Sequence, residues 1–340
     1  MNAPVSLGAH PAKTLTVRNL TTTFATSQGT LSALNDISFE VRPGEVLGLV
    51  GESGSGKSVT LRSMLHLLPS NARTTGSVSW GEQELIGASP ATLRAMRGRE
   101  IAMIFQEPMT ALNPVLTVHR QIDESLVAHG TLDKRQRRER AIELLDLVGI
   151  PAASSRLDDY PHQFSGGMRQ RVMIAIALAA EPRLLFADEP TTALDVTIQD
   201  QILKLILGLR ERLGMSVIFV THDLGVVAQT CDRVAVMYAG NIVESGAVLD
   251  VFRQPHHPYT RGLLGSVPQG GDERKPLMSI EGTPPSLAAM PQGCAFHPRC
   301  SFRVERCSLD KPPLTTIGAE RLVACFRHEA VAAAGGGLHE

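Results

Sequence analysis

Apolar and polar positions alternate over LTVRNLTTTF and again over LNDISFEV, a period of two that predicts half-buried strands. After the turn residues RPGE, the unbroken apolar run VLGLV predicts a short buried strand, and VTLRSMLHLL carries helical spacing. GSVSWGEQEL predicts two short strands around a turn, PATLRAMRGR a helix, and EIAMIF another buried strand. From 117 to 180 helical spacing dominates, and VMIAIALAA at 172–180 reads as a buried helix. LLFAD (184–188) and SVIFV (216–220) are compact apolar strands separated by the helical VTIQDQILKLILGLRERLG. VAVMYAGNIVESG predicts a hairpin with a glycine-containing turn.

Strands alternating with helices predict an α/β core with a mostly parallel sheet, to which the first strands add an antiparallel β subdomain. The block at about 107–180 breaks the alternation and reads as an inserted helical subdomain. Past residue 253, prolines and glycines multiply (QPHHPYT, PQGGDERKP, GTPPS, KPP), and a small irregular C-terminal module is expected. The resulting division is 14–255 for the core, 256–330 for the module, and a disordered tail at 331–340, with residues 1–13 as a loose leader. No internal repeat is found in the sequence.

Composition narrows the function classes. The chain has 340 residues, 43% of them hydrophobic, with a formal net charge of −1. That balance gives no case for nucleic acid or an anionic membrane. The basic run KRQRRER (134–140) lies on an expected helix followed by acids and reads as a solvated face. No apolar run reaches the ~18 residues of a spanning helix. The N-terminus lacks a secretory pattern. The chain is expected to be cytoplasmic, with any membrane role coming through partner subunits. Cysteines stand at 231, 294, 300, 307 and 325. A reducing cytosol argues against a disulfide set, which leaves metal ligation or free thiols; Cys231 by itself reads as a packed core residue.

The stretch GESGSGKS (51–58) matches G-x-x-x-x-G-K-[ST] at Gly51, Gly56, Lys57 and Ser58, between a strand and a helix. Glycines let successive amides turn inward around an anion, and the helix start adds its positive dipole end. Lys57 is expected to reach the β- and γ-phosphates and Ser58 to ligate Mg²⁺; Ser53, Gly54, Ser55 and Val59 complete the loop. LLFADEP supplies Asp188 at a strand end as a second Mg²⁺ ligand and Glu189 as the residue that polarises the attacking water. Strand alternation is expected to turn Glu189 away from Asp188. FSGGMRQR (164–171) opens another helix with a serine and two glycines, a second anion-binding start. A cap at Ser165 alone would explain the serine but not the glycines.

In the order of these motifs, over about residues 14–255, the chain resembles the ATP-binding subunits of ABC transporters. GESGSGKS is then the Walker A loop and LLFADE Walker B with its catalytic glutamate. Gln106 in IAMIFQEP matches the Q-loop glutamine that senses the γ-phosphate and metal. FSGGM matches the signature usually written LSGGQ, with Phe164 and Met168 as departures that leave the Ser165–Gly166–Gly167 contact intact. Asp195 in ALD (193–195) matches the D-loop at the dimer seam, and His222 in VTHD the switch histidine. Phe24 is placed like the aromatic that stacks on adenine, or is a core strand residue. The resemblance implies a P-loop NTPase fold and ATP with Mg²⁺ as cofactors. It implies a second ATPase subunit, a copy or a paralogue, that completes each site head to tail. It also implies two transmembrane permease subunits and an extracytoplasmic solute-binding protein, and a seat on the cytoplasmic face of the membrane.

FQEPMTALNP (105–114) and QPHHPYTRGLL (254–264) resemble the peptide-importer branch, which includes nickel and related solute importers. Cys294, Cys300, Cys307 and Cys325 are spaced C-x₅-C-x₆-C-x₁₇-C, unlike the paired layout of common zinc modules. In this branch such cysteines imply a [4Fe–4S] cluster, four thiolates being the usual ligand count; zinc, with His297 or His328, and free thiols stay open. The expected function is ATP hydrolysis that energises uptake of di- or oligopeptides, with nickel or another small solute as the alternative. Less favoured is a soluble ABC ATPase acting on DNA or ribosomes, for which the sequence lacks a sustained heptad coil. A GTPase or kinase leaves FSGGM unexplained, and an exporter leaves the stretch at 105–114 unexplained.

Overall fold

The computed structural model describes residues 13–27, 29–107, 111–192, 194–266, 280–318 and 320–335. Residues 1–12 of the expected leader, the centre of FQEPMTALNP, Ala193 and residues 336–340 of the expected tail lie outside them. In chain order the elements are β1 (Leu15–Thr26), β2 (Gly29–Val41), β3 (Val46–Val50), α1 (Lys57–Met64), β4 (Ala72–Trp80), β5 (Gln83–Glu84), α2 (Pro90–Met96) and β6 (Ile101–Ile104). Next come α3 (Val118–His129), α4 (Lys134–Leu147), α5 (Gly166–Leu178), β7 (Leu184–Asp188), α6 (Val196–Leu213), β8 (Ser216–Thr221), α7 (Leu224–Thr230), β9 (Arg233–Tyr238) and β10 (Asn241–Ala247). Then follow α8 (Val248–Arg253), α9 (Pro258–Gly265), β11 (Thr315–Thr316), β12 (Leu322–Val323) and α10 (His328–Ala333), single helical turns being left unlabelled. No helix among the described residues is long and apolar enough to cross a membrane.

Two compact units share the chain and interleave along it. One comprises Met1–Thr14, Arg42–Gly44 and Ala88–Ile218; the other comprises Leu15–Val41, Glu45–Gly87 and Phe219–Glu340.

In the first unit β6 and β7 pair in parallel, Ile101 opposite Leu184 and Ile104 opposite Ala187. β7 is buried at all five positions, as an uninterrupted apolar run requires. The helices α3, α4 and α5 fill the stretch expected to be helical, and α5 buries Val172, Met173, Ile174, Ala175 and Leu178. α4 starts at a capping box, Asp133 with Gln136. Its arginines are paired by acids: Arg135 with Glu139, Arg137 with Asp123, Arg138 with Asp158, and Arg140 with Glu143 and Glu181. α6 buries Ile202, Leu203, Ile206 and Leu209 on one face and ends at Gly214, whose φ of 62° is the left-handed C-terminal stop.

The second unit holds two sheets. One is antiparallel, in the order β2–β1–β4–β5. In the other, β3 pairs in parallel with β9, and the neighbours then run β9–β10–β12–β11 in antiparallel fashion. Parallel pairing is therefore confined to part of the sheet structure. The reason is local: Ala239 (φ 46°) and Gly240 (φ 75°) form a two-residue turn with both residues left-handed, and such a turn joins only antiparallel strands. The core of this unit gathers Val50, Val236, Tyr238, Val243, Val251, Tyr259 and Phe296, so residues from the irregular C-terminal stretch pack with the strand that precedes the phosphate loop. Cys231 packs against this core, its Sγ 3.1 Å from where a Cβ on Gly48 would lie, and burial pushes its thiol up to about 12. The helix α10 runs into the first residues of the expected tail, with Val331 fully buried.

Glu244 on β10 is a buried carboxylate that organises the turn into α9. It accepts the N–H groups of His256 (2.8 Å) and His257 (2.9 Å) and pairs with Arg321 at 2.7 Å. His257 then caps α9, its Nδ1 accepting from the Tyr259 N–H, and full burial pushes this imidazole down to about 3, so it stays neutral. Removing one partner of a buried ion pair leaves the other uncompensated. The variant Glu244→Ala is expected to lose about 3–5 kcal/mol of stability in a urea titration of the full chain. A loss under about 1 kcal/mol would show that these bonds do not hold the turn.

Candidate nucleotide-binding site

The phosphate loop follows β3 directly and feeds α1, whose N-cap is Gly56, so no side chain caps that helix start. Gly51 (φ 154°) passes so close to β9 that a Cβ there would lie 2.2 Å from the Met237 carbonyl oxygen. At Gly56 (φ 107°) a Cβ would lie 2.9 Å from a Leu34 methyl. Both glycines are thus required by backbone conformation and by space. Ser53 and Gly54 are exposed at the tip, Ser55 is buried, and Ser58 and Val59 are half-buried. Lys57 is 5% exposed and lies over the loop, its ammonium donating to the carbonyls of Gly51 (2.7 Å) and Glu52 (3.0 Å). The loop therefore combines a cation with a helix start that no side chain caps, the two requirements for holding a phosphate.

In the same unit, His222 is exposed just past β8, and Asp223 beside it caps α7. Phe24 lies near the end of β1, half-buried, opposite Leu31 and Ala72.

The first unit brings Gln106 and Glu189 together. The Gln106 amide donates to Glu189 Oε2 (3.2 Å), and the Thr192 hydroxyl donates to the same oxygen (2.8 Å). Thr192 was not foreseen from sequence; its reach depends on a turn no motif describes. Asp188 is fully buried at the end of β7. Glu189 lies beyond the strand with φ 47°, so a left-handed turn, rather than strand alternation, sets its direction. A non-glycine residue in that region stores on the order of 1–3 kcal/mol.

Ser165 caps α5, accepting from the Met168 N–H (3.3 Å), and Asp195 caps α6, accepting from the Ile198 N–H (3.0 Å). Within the chain both residues therefore act as helix caps. The two glycines after Ser165 differ. A Cβ on Gly167 would lie 2.8 Å from Ile198, so packing against α6 accounts for it. A Cβ on Gly166 would meet nothing within 4 Å. Phe164 is buried, 2% exposed, under the guanidinium of Arg156.

Cys294, Cys300, Cys307 and Cys325 all line one small pocket, together with Phe296, His297, Phe302 and Phe326. Burial raises the thiols of Cys294, Cys300 (to about 11) and Cys325 (to about 12). The Arg327 N–H donates to the Cys325 sulfur (3.3 Å). Among the described residues, no three His, Cys, Asp or Glu side chains converge to hold a metal ion. His328 is absent from the pocket lining and stacks on His256 instead.

Comparison with known proteins agrees with this geometry. Residues 34–192 match the ABC transporter family model, and 243–307 match the family described as the oligopeptide/dipeptide transporter, C-terminal region. The oligopeptide transport ATP-binding protein OppD of Salmonella typhimurium is 48% identical over 313 residues, covering 92% of this chain and 93% of that protein. OppD of Escherichia coli gives the same identity and coverage. Among solved structures, the ATP-binding cassette MJ0796, a dimer bound to ADP and Pi, is 30% identical with a TM-score of 0.62, covering 69% of this chain and 98% of that one. The chain belongs to the ABC transporter family, with the ATPase fold of its ATP-binding cassettes.

Proposed function

We propose that this chain is the ATP-hydrolysing subunit of an importer for di- or oligopeptides, seated on the cytoplasmic face of a membrane through two permease subunits. The observation that carries the reading is 48% identity to OppD across 92% of the chain, through both the ATPase part and the C-terminal region. An extracytoplasmic binding protein would deliver the peptide. Nothing in the site favours nickel or another small solute over a peptide.

The phosphate loop binds the triphosphate of ATP through its amides and Lys57. The donor set suits Mg²⁺: a hydroxyl at Ser58, an amide oxygen at Gln106 and a carboxylate at Asp188 are hard oxygen ligands, and Mg²⁺ takes only one or two of them beside phosphate and water. When bound, the ion neutralises charge on the β- and γ-phosphates. Glu189 accepts a proton from the attacking water, and Gln106 and Thr192 hold its carboxylate in place. His222 contacts the γ-phosphate and Phe24 stacks on the adenine. Gly166, which this chain's own packing leaves open, is suited to close approach by a second subunit's nucleotide. Two subunits then enclose two ATP molecules head to tail, with Ser165–Gly167 and Asp195 of each facing the other.

For the four-cysteine pocket the proposed occupant is a [4Fe–4S] cluster, for which four thiolates are the usual ligand count. A cubane spreads its four thiolates over separate irons, whereas a structural zinc draws its ligands to one point. What supports the cluster is the gathering of all four cysteines around one pocket.

The variant Glu189→Gln is expected to keep ATP binding while kcat falls by about 10² or more; near-normal turnover would remove Glu189 from this role. For Lys57→Ala, fluorescence titration with a labelled ATP should show affinity weakened roughly ten- to a hundredfold. Anaerobic purification of the untagged complex should yield about four irons and four sulfides per chain. Iron-free protein with all thiols titratable would dismiss the cluster.

A further inference from the structure

The loop motif leaves position 52 unspecified, yet Glu52 is anchored through its backbone and its side chain. Its N–H donates to the Tyr259 phenol oxygen (2.7 Å). Its carboxylate accepts two bonds from Arg299, at 2.7 Å from Nη1 and 3.0 Å from Nη2, the two-pronged geometry that suits guanidinium and carboxylate. Its carbonyl accepts from Lys57, the residue that binds phosphate. All three of its polar groups, the N–H, the carbonyl and the carboxylate, are therefore tied, two of them to the C-terminal segment.

The anchors are themselves fixed. Tyr259 is fully buried, with its ring 4.6 Å from Tyr238 and 5.5 Å from Phe296. The Arg299 side chain is 5% exposed. Its Nε donates to the Glu281 carbonyl (3.0 Å), and the guanidinium lies 5.9 Å from the rings of both Tyr238 and Phe296. The segment Pro284–Leu287 then borders a cleft of about 230 Å³ whose other wall is Glu52, Ser53, Gly54 and Ser55 of the loop with Tyr238 and Ala239.

We infer that Tyr259 and Arg299 are positioning residues for the phosphate loop, acting through Glu52, and that the C-terminal module thereby sets the affinity of the loop for ATP. Two effects combine. The anchors orient the Glu52 peptide, whose carbonyl guides Lys57. Arg299 also neutralises a carboxylate that the loop would otherwise present beside a triphosphate. Glu52 without Arg299 is worse for ATP than neither, so removing both charges restores what removing the arginine alone destroys. This rests on the reading of GESGSGKS as the nucleotide site.

The test is a double-mutant cycle on the full-length chain with Mg²⁺ and fluorescent ATP, alongside thermal unfolding. The variant Arg299→Gln should weaken ATP binding roughly tenfold, Glu52→Gln about two- to threefold, and the pair no more than Glu52→Gln alone. Arg299→Lys, which keeps the charge but not the fork, should fall between the parent and Arg299→Gln. KM for ATP should rise with kcat at saturation nearly unchanged. Affinity unchanged in Arg299→Gln, or a double variant as weak as Arg299→Gln, overturns the inference. Should Arg299→Gln not fold, Glu52→Gln and Arg299→Lys decide, and parental affinity in both overturns it. Lys57→Ala separates the two levels: if it keeps parental affinity, the reading of the loop fails; if it loses affinity while the cycle is flat, only the positioning role fails.

Discussion

The close passage of the phosphate loop over the β9–β10 hairpin is the constraint on which the nucleotide-binding half of the chain depends. The Gly240 N–H donates to the Ser55 carbonyl (2.9 Å), and the Asn35 N–H donates in turn to the Gly240 carbonyl (2.8 Å). A Cβ on Gly240 would come within 2.4 Å of the Ala33 carbonyl oxygen. Loop, hairpin turn and β2 are stitched backbone to backbone, and no side chain could be inserted between them. An anion site made of amides works only if those amides cannot turn away. Rigidity here comes from peptide groups that have already found partners on their outer side.

A comparable economy governs the other half. Glu189 is oriented by a strained turn and by two donors on one oxygen. Strain at such a position persists only where surrounding structure over-determines it. The rigid, fully buried β7 behind it supplies that support.

Much of this was legible in sequence because it is local. The loop declares itself through glycines at positions where φ or space forbids a Cβ, and the strands through unbroken apolar runs. On α4 only Arg135–Glu139 and Arg140–Glu143 are local pairs; Asp123, Asp158 and Glu181 reach its arginines from 14 to 41 positions away. Other features are not local and had no signal. Glu52 finds its partners 207 and 247 positions away, and no window of sequence encodes such a pairing. Thr192 reaches Glu189 only through the left-handed turn between them. The antiparallel β9–β10 pair was legible as a hairpin in VAVMYAGNIVESG, through its glycine-containing turn. The caps at Ser165 and Asp195 show that one residue can satisfy a helix end and still stand where a motif requires it.

The open space at Gly166 sets stability and purpose against each other. Nothing in the folded chain objects to a methyl group there, and alanine is the better helix former. A campaign that selected heat-resistant versions of this chain alone would therefore discard that glycine early. On the proposed function, the loss would show only when the product had to work alongside a second ATPase subunit.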